Sequence, residues 1–163
     1  MMLDWWENMK IKKFNELDEE QLNKIINKHF SHWSRYSPLM TLEGTTNKIK
    51  NVYTSNELPY GIALLEDGNI IGFCMLKEFD LKEYPDIKPN ICNIMIFDEY
   101  RSQGYGTKLV EFAKQELKCL GYSKAYLWTD KAPKFYEKIG FTYVKDVLKN
   151  DKTGYGRLYV IDI

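Results

Sequence analysis

RSQGYG, residues 101–106, stands between two segments of different periodicity. Upstream, ICNIMIF (91–97) is a nearly continuous apolar run of strand length, the pattern of a strand buried on both faces. Downstream, TKLVEFAKQELKCLGY carries Leu109, Ala113, Leu117 and Leu120 in a helical stripe, and Gly121 marks its C-terminal stop. Two glycines at a strand-to-helix turn have two explanations. One is a tight connection. The other is a phosphate seated on bare backbone. The first N–H groups of a helix have no partners within it, and the positive end of the helix dipole lies there. Gly104 and Gly106 would let an anion approach closely, and Arg101 would add charge-assisted bonds. The hexapeptide alone does not choose between the two. It is not a Walker A loop, because Thr107-Lys108 follow Gly106 in reversed order. It is not a dinucleotide fingerprint, because the position of the third small residue holds Leu109.

Working outward, MKIKKF (9–14) alternates as a short strand. LDEEQLNKIINKHFSHW follows as a helix, with Asp18 as N-cap and Gln21 three residues on. Leu22, Ile25, Ile26, His29, Phe30 and Trp33 mark its apolar face. A second short helix is expected from about Thr45 to Tyr53. GIALLEDGNIIGFCMLKEF reads as a hairpin about Asp67-Gly68. Residues 80–89, with two prolines, form a loop. KAYLWT is a strand, and KAPKFYEKIG a short helix with Pro133 in its first turn. FTYVKDVL and GRLYVIDI are two closing strands. The order β-α-α-β-β-β-α-β-α-β-β predicts a mixed α/β fold: a twisted, predominantly antiparallel sheet flanked by helices, with one crossover around RSQGYG.

The 163 residues suit a single domain, 1–163, with a core of its own. Lys+Arg and Asp+Glu balance at 23 each, which argues against nucleic acid as a partner. No run of 18 apolar residues predicts a membrane span, and MMLDWWENMK lacks the apolar core of a signal peptide. Cys74, Cys92 and Cys119 show no metal-ligand spacing and read as thiols packed as small apolar groups in a reducing cytoplasm. His29 and His32 are three apart with no third ligand, so no metal is expected. Edge strands near the C-terminus offer a route to a homodimer.

Two segments carry a family resemblance. IMIFDEYRSQGYGTKLVEFA resembles the acyl-CoA-binding motif of the GNAT superfamily of N-acetyltransferases, whose pattern Arg/Gln-x-x-Gly-x-Gly/Ala is met by Arg101, Gly104 and Gly106. APKFYEKIGF resembles the family's A-x-x-x-Y-E-K-x-G-F segment at Ala132, Tyr136, Glu137, Lys138, Gly140 and Phe141. The element order resembles the family along nearly the whole chain.

The resemblance implies direct transfer of the acetyl group of acetyl-CoA to a primary amine, with no covalent enzyme intermediate. It implies that Ile94, Met95 and Ile96 offer backbone groups to the pantetheine arm where their strand splays from its neighbour. Arg101, Ser102, Gln103, Gly104, Tyr105, Gly106 and Thr107 would hold the pyrophosphate. Tyr136 would be the general acid toward the CoA thiolate. Thr129 stands where many members carry a cofactor-contacting asparagine. Asn90 stands where some protein-modifying members carry a glutamate base, and it takes no proton at neutral pH. The loop acids Glu78, Asp80, Glu83 and Asp86 lie near the expected acceptor site, and HFSHWSRY would wall it. A small-molecule amine is the favoured acceptor. A protein or peptide N-acetyltransferase, and a non-catalytic acyl-CoA-binding sensor, are the rival readings.

Overall fold

The computed structural model describes residues 8–163, and Trp5 and Trp6 of the N-terminal segment lie outside them. Among the described residues, seven strands and four α-helices follow the expected order. They are β1 (Met9–Lys13), α1 (Glu19–Trp33), α2 (Leu42–Asn51), β2 (Tyr60–Glu66), β3 (Asn69–Lys77) and β4 (Asn90–Ile96). Then come α3 (Tyr105–Cys119), β5 (Lys124–Thr129), α4 (Pro133–Lys138), β6 (Thr142–Leu148) and β7 (Tyr155–Asp162). The strands form one sheet in the order β1-β2-β3-β4-β5-β7-β6. Only β4 and β5 run parallel, because the α3 crossover joins them. The other pairings are antiparallel, so the sheet is mixed and mostly antiparallel.

Local chemistry sets the boundaries. Asp18 and Gln21 close a reciprocal capping box at the start of α1, with the Asp18 carboxylate accepting from Gln21 N at 2.8 Å. The β2–β3 hairpin turns on Asp67 and Gly68 with φ of 50° and 79°, the left-handed pair that a two-residue turn needs. Two expectations shift. The second helix starts at Leu42 rather than near Thr45, because the Thr41 hydroxyl accepts from Gly44 N and caps it. Leu120 falls past the end of α3 and is 48% exposed, so the buried stripe ends at Leu117.

Strand alternation divides the core into two layers. Ile62, Leu64, Ile71, Cys74 and Leu76 pack against Leu109, Ala113 and Leu117 of α3. Ala63, Leu65, Phe73 and Met75 pack against Leu22, Ile25, Ile26 and Ile49 of α1 and α2, with a bulge at Ile71 setting it in the other layer from Phe73. Beyond β5, a smaller cluster of Val110, Leu127, Phe141 and Tyr159 takes in Tyr136 of α4. Each layer buries large aliphatic side chains, worth about 1.5–3 kcal/mol apiece. Strand β6 is the outer edge, with Tyr143 and Val144 exposed.

Candidate active site

The site begins with a fault in β4. Asn93 has φ of 52°, and the β3–β4 register shifts there: Phe73 faces Met95, but Met75 faces Cys92. One extra residue is therefore inserted, a bulge that asparagine tolerates better than its branched neighbours would. Cross-strand partners share a face. Cys92 thus lies with Met75 on the α1 side, while Ile94 packs with the α3 side. Plain period-two counting puts Cys92, Asn90 and Ile94 on one side, and the bulge breaks that count after Cys92. Opposite the bulge, a Cβ on Gly72 would come within 2.5 Å of the Met95 carbonyl oxygen, so only glycine fits.

Strand β4 then parts from β5. Their parallel register holds at Asn90↔Tyr126 alone. The remaining length of β4 leaves Ile94, Met95 and Ile96 bordering a cleft of about 480 Å³. Its far wall is Ala132, Phe135 and Tyr136, and its end is Arg101, Ser102, Gly104, Gly106 and Thr107. Ten of the residues picked from sequence thus line one groove, whereas Gln103 is exposed and does not line it and Thr129 lines the adjoining cleft.

The loop closing this cleft has the properties an anion site needs. Gly104 is the N-cap of α3 with φ of 85°, and Ser102 is also left-handed at 63°. Left-handed residues allow successive N–H groups to face one side. No side chain caps α3, unlike α1 and α2. The first backbone bond of the helix runs from Lys108 N to Gly104 O, so the N–H groups before it have no helical acceptor. The Tyr105 side chain turns away into the core, where its hydroxyl donates to Glu66 at 3.0 Å. Arg101 folds back: its Nε donates to the Ile96 carbonyl at 3.1 Å and its guanidinium pairs with Asp98 at 3.2 Å.

Tyr136 stands at the junction of this cleft with a second one of about 380 Å³, which runs through the β4–β5 split past Cys92, Asn93, Trp128 and Thr129. Its ring is fixed edge-on by Phe135 and Phe141 at 5.1 and 5.9 Å. Burial pushes its phenol up to about 12, so it stays protonated at neutral pH. Its hydroxyl has no hydrogen-bond partner among the described residues. The Thr129 hydroxyl accepts from Lys131 N and Ala132 N at 3.2 and 3.1 Å and pins the turn into α4, leaving its own proton to donate.

A family model for the GNAT acetyltransferase domain matches residues 59–143, just over half of the chain. The chain belongs to the GNAT acetyltransferase family. Solved structures of low identity share its fold. PaiA N-acetyltransferase from Thermoplasma acidophilum, in complex with coenzyme A, is 19% identical with a TM-score of 0.65, over 95% of this chain and 99% of that one. Spermidine N-acetyltransferase from Vibrio cholerae, in complex with CoA and spermine, is 19% identical with a TM-score of 0.70, over 95% of each chain. Aminoglycoside 6'-acetyltransferase type Ii is 17% identical with a TM-score of 0.70, over 94% of this chain and 96% of that one. No curated protein matches the sequence closely enough to be counted a relative. Among the described residues, no helix is long and apolar enough to cross a membrane, and no group of three or more ligands could hold a metal.

On this GNAT frame, the residues of the second cleft and the 80–89 loop sort themselves. Asn90 is structural: its amide donates to Ile87 O at 2.6 Å and ties down the 80–89 loop. Of the four loop acids, Asp80 alone is sequestered and lines the second cleft, accepting from Lys77 at 2.9 Å and from Trp128 Nε1 at 2.8 Å. Cys74 and Cys92 are buried, but Cys119 is exposed, contrary to a packed role. The segment HFSHWSRY does reach the clefts through His32 and Trp33, but sequence reading missed Asn93, Phe135 and Trp128 as lining residues. An asparagine inside an otherwise apolar strand was the available signal for the first. The others announce themselves only through the β4–β5 split.

His29 sits between Trp33, at 4.5 Å, and Phe73, at 6.2 Å, with its Nε2 3.0 Å from the Asn93 amide nitrogen. Burial first, then the charges of Lys48, His32 and Lys77, lowers its pKa to about 4. The unfolded chain therefore binds a proton that the folded chain refuses between about pH 6.5 and 4. Stability from this group is complete above the unfolded pKa and is lost as pH falls through that window, by up to about 3 kcal/mol. Urea unfolding at pH 7 and pH 5 should show a steeper loss in the wild type than in His29→Leu. Equal losses would remove His29 as the cause.

Proposed function

We propose that this GNAT protein transfers the acetyl group of acetyl-CoA to the primary amine of a small molecule. The observation that carries the reading is the continuity of the cleft from the uncapped N-terminus of α3, along the freed edge of β4, to Tyr136. The donors at Gly104–Thr107 suit a pyrophosphate, and Arg101 would give up its contact with Asp98 to reach one. The freed edge of β4 suits an amide-bearing arm, which can pair with it as a missing strand would. The second cleft, which meets the first at Tyr136, suits the amine.

The chemistry asked of the chain is mainly positioning and charge stabilisation. The amine must approach unprotonated, form a C–N bond at the thioester carbonyl and displace the CoA sulfur. Tyr136 serves as hydrogen-bond donor to that sulfur. A phenol near 12 would not surrender its proton fully to a thiolate whose acid is near ~8.5 by analogy with cysteine. The proton that completes the thiol is the one the amine loses. The acceptors named for the structurally similar proteins support a small molecule over a peptide.

Calorimetric titration with acetyl-CoA, followed by thiol release over a panel of small amines and peptides, tests this. Binding followed by release with small amines is the expected result. Binding with release only from peptides would transfer the reading to a peptide acetyltransferase, and binding without release to a sensor. Absence of binding would end it.

A further inference from the structure

A third cavity, of about 350 Å³, opens between α1 and α2 and adjoins the Tyr136 cleft through their shared walls Trp33 and Asn93. Among the described residues no carboxylate lines it. Its charged groups are both cationic, Lys48 and Lys77. Lys48 and Lys77 place their ammonium groups 5.9 Å from the ring of Tyr53, and neither the ion pairs nor the hydrogen bonds of the described residues give Lys48 an anionic partner. Thr45 is only 6% exposed, and its hydroxyl has no hydrogen-bond partner among the described residues. With Nε2 of His29 accepting from the Asn93 amide, its proton rests on Nδ1, which is buried and unpaired. The first turn of α2, at Thr41 and Gly44, presents its positive end to the same space.

His29 Nδ1 is a buried donor without an acceptor, an arrangement that is costly unless a ligand supplies one, while Lys48 stands exposed at the cavity's rim. Partial desolvation first, then the Lys77 charge, lowers the proton affinity of Lys48 despite the opposing pull of Asp80. The boundary between the two cavities has a direction. The Lys77–Asp80 pair spans it, with Lys77 lining the α1–α2 cavity and Asp80 lining the Tyr136 cleft. A ligand with an amine and an oxyanion would lie antiparallel to that pair, its amine toward Asp80 and its anion toward Lys77, Lys48, Thr45 and His29.

We propose that the acceptor is a zwitterion, an amine that also carries a carboxylate or phosphate, with the α1–α2 cavity holding its anion. This rests on the acetyltransferase reading above and narrows its substrate class. The loop acids do not act jointly on the amine: of them only Asp80 faces the cleft, and it is already paired with Lys77.

The test compares amines matched in length: aminoalkyl carboxylates, aminoalkyl phosphates, alkyl diamines and amino alcohols, each followed by thiol release. Zwitterions should be preferred in kcat/KM by roughly tenfold or more over diamines and alcohols. Lys48→Met should remove most of that preference through KM, and Lys48→Glu should invert it toward diamines, with acetyl-CoA affinity unchanged in both. The carboxylate and phosphate arms separate the two anions. A second readout is independent of turnover: valerate should shift the backbone amide resonances of Thr45 and Tyr53 in the wild type, and not in Lys48→Met. Diamines used as well as the zwitterions, or a Lys48→Met enzyme with unchanged preference, would overturn the proposal. Were no amine to release thiol, the function would fail while the valerate shifts still decided the anion site.

Discussion

Gly104→Val should lose acetyl-CoA affinity by roughly tenfold to a hundredfold, the worth of one or two charge-assisted backbone bonds. The cause is conformational before it is steric. Gly104 holds φ of 85°, and a Cβ there would meet nothing within 4 Å. A β-branched residue in that region costs about 1–2 kcal/mol or more, and the loop would relieve the strain by turning its N–H groups out of register. Stability loss alone would not prove a binding role, so a matched control is needed. Gly68 supplies it. It has φ of 79°, a Cβ there would likewise meet nothing within 4 Å, and it sits in the β2–β3 turn away from the cleft. Gly68→Val should lose similar stability and keep full acetyl-CoA affinity. If calorimetry finds both variants binding alike, the loop does not seat a phosphate and its glycines merely make a turn.

The elements of the fold were legible because each carries its own local signal. Asp18 with Gln21, Asp67 with Gly68, and Pro133 act within a few residues of where they stand. Period-two alternation likewise reveals the two faces of β2, and those of β3 from Phe73 onward, while a bulge at Ile71 breaks the count before it. The same logic failed in two further places where the signal is not local. Asn93 takes a left-handed conformation that only its pairing with β3 requires, and that inserted residue moves Ile94 to the other face from Cys92. The α1–α2 cavity depends on helix packing that no spacing records, so Lys48 and Thr45 passed as ordinary helix residues. The cleft residues RSQGYG and Tyr136 could be read only because their flanks match a family pattern. Nothing in periodicity distinguishes Tyr136 from the rest of the chain's twelve tyrosines.

Tyr136→Phe is the sharper test of chemistry, because stability and activity should part. The hydroxyl belongs to a half-buried side chain and has no hydrogen-bond partner among the described residues, an arrangement that costs the folded protein rather than helping it. Phenylalanine keeps the ring and its edge contacts with Phe135 and Phe141. Thermal stability should therefore stay level or rise. Acetyl-CoA affinity should also hold, since the ring packs and the hydroxyl acts only as sulfur leaves. The value of kcat should fall about a hundredfold, the scale of a hydrogen bond to a developing thiolate. The pH profile adds a sign. With the phenol near 12, Tyr136 remains a donor throughout the working range, so kcat/KM should rise as the amine loses its proton and show no fall below about pH 11 from this group. A basic limb near about pH 9 that disappears in Tyr136→Phe would mean that the phenol titrates where burial should forbid it. An unchanged kcat in the variant would remove Tyr136 from the reaction and leave catalysis to positioning along β4 alone.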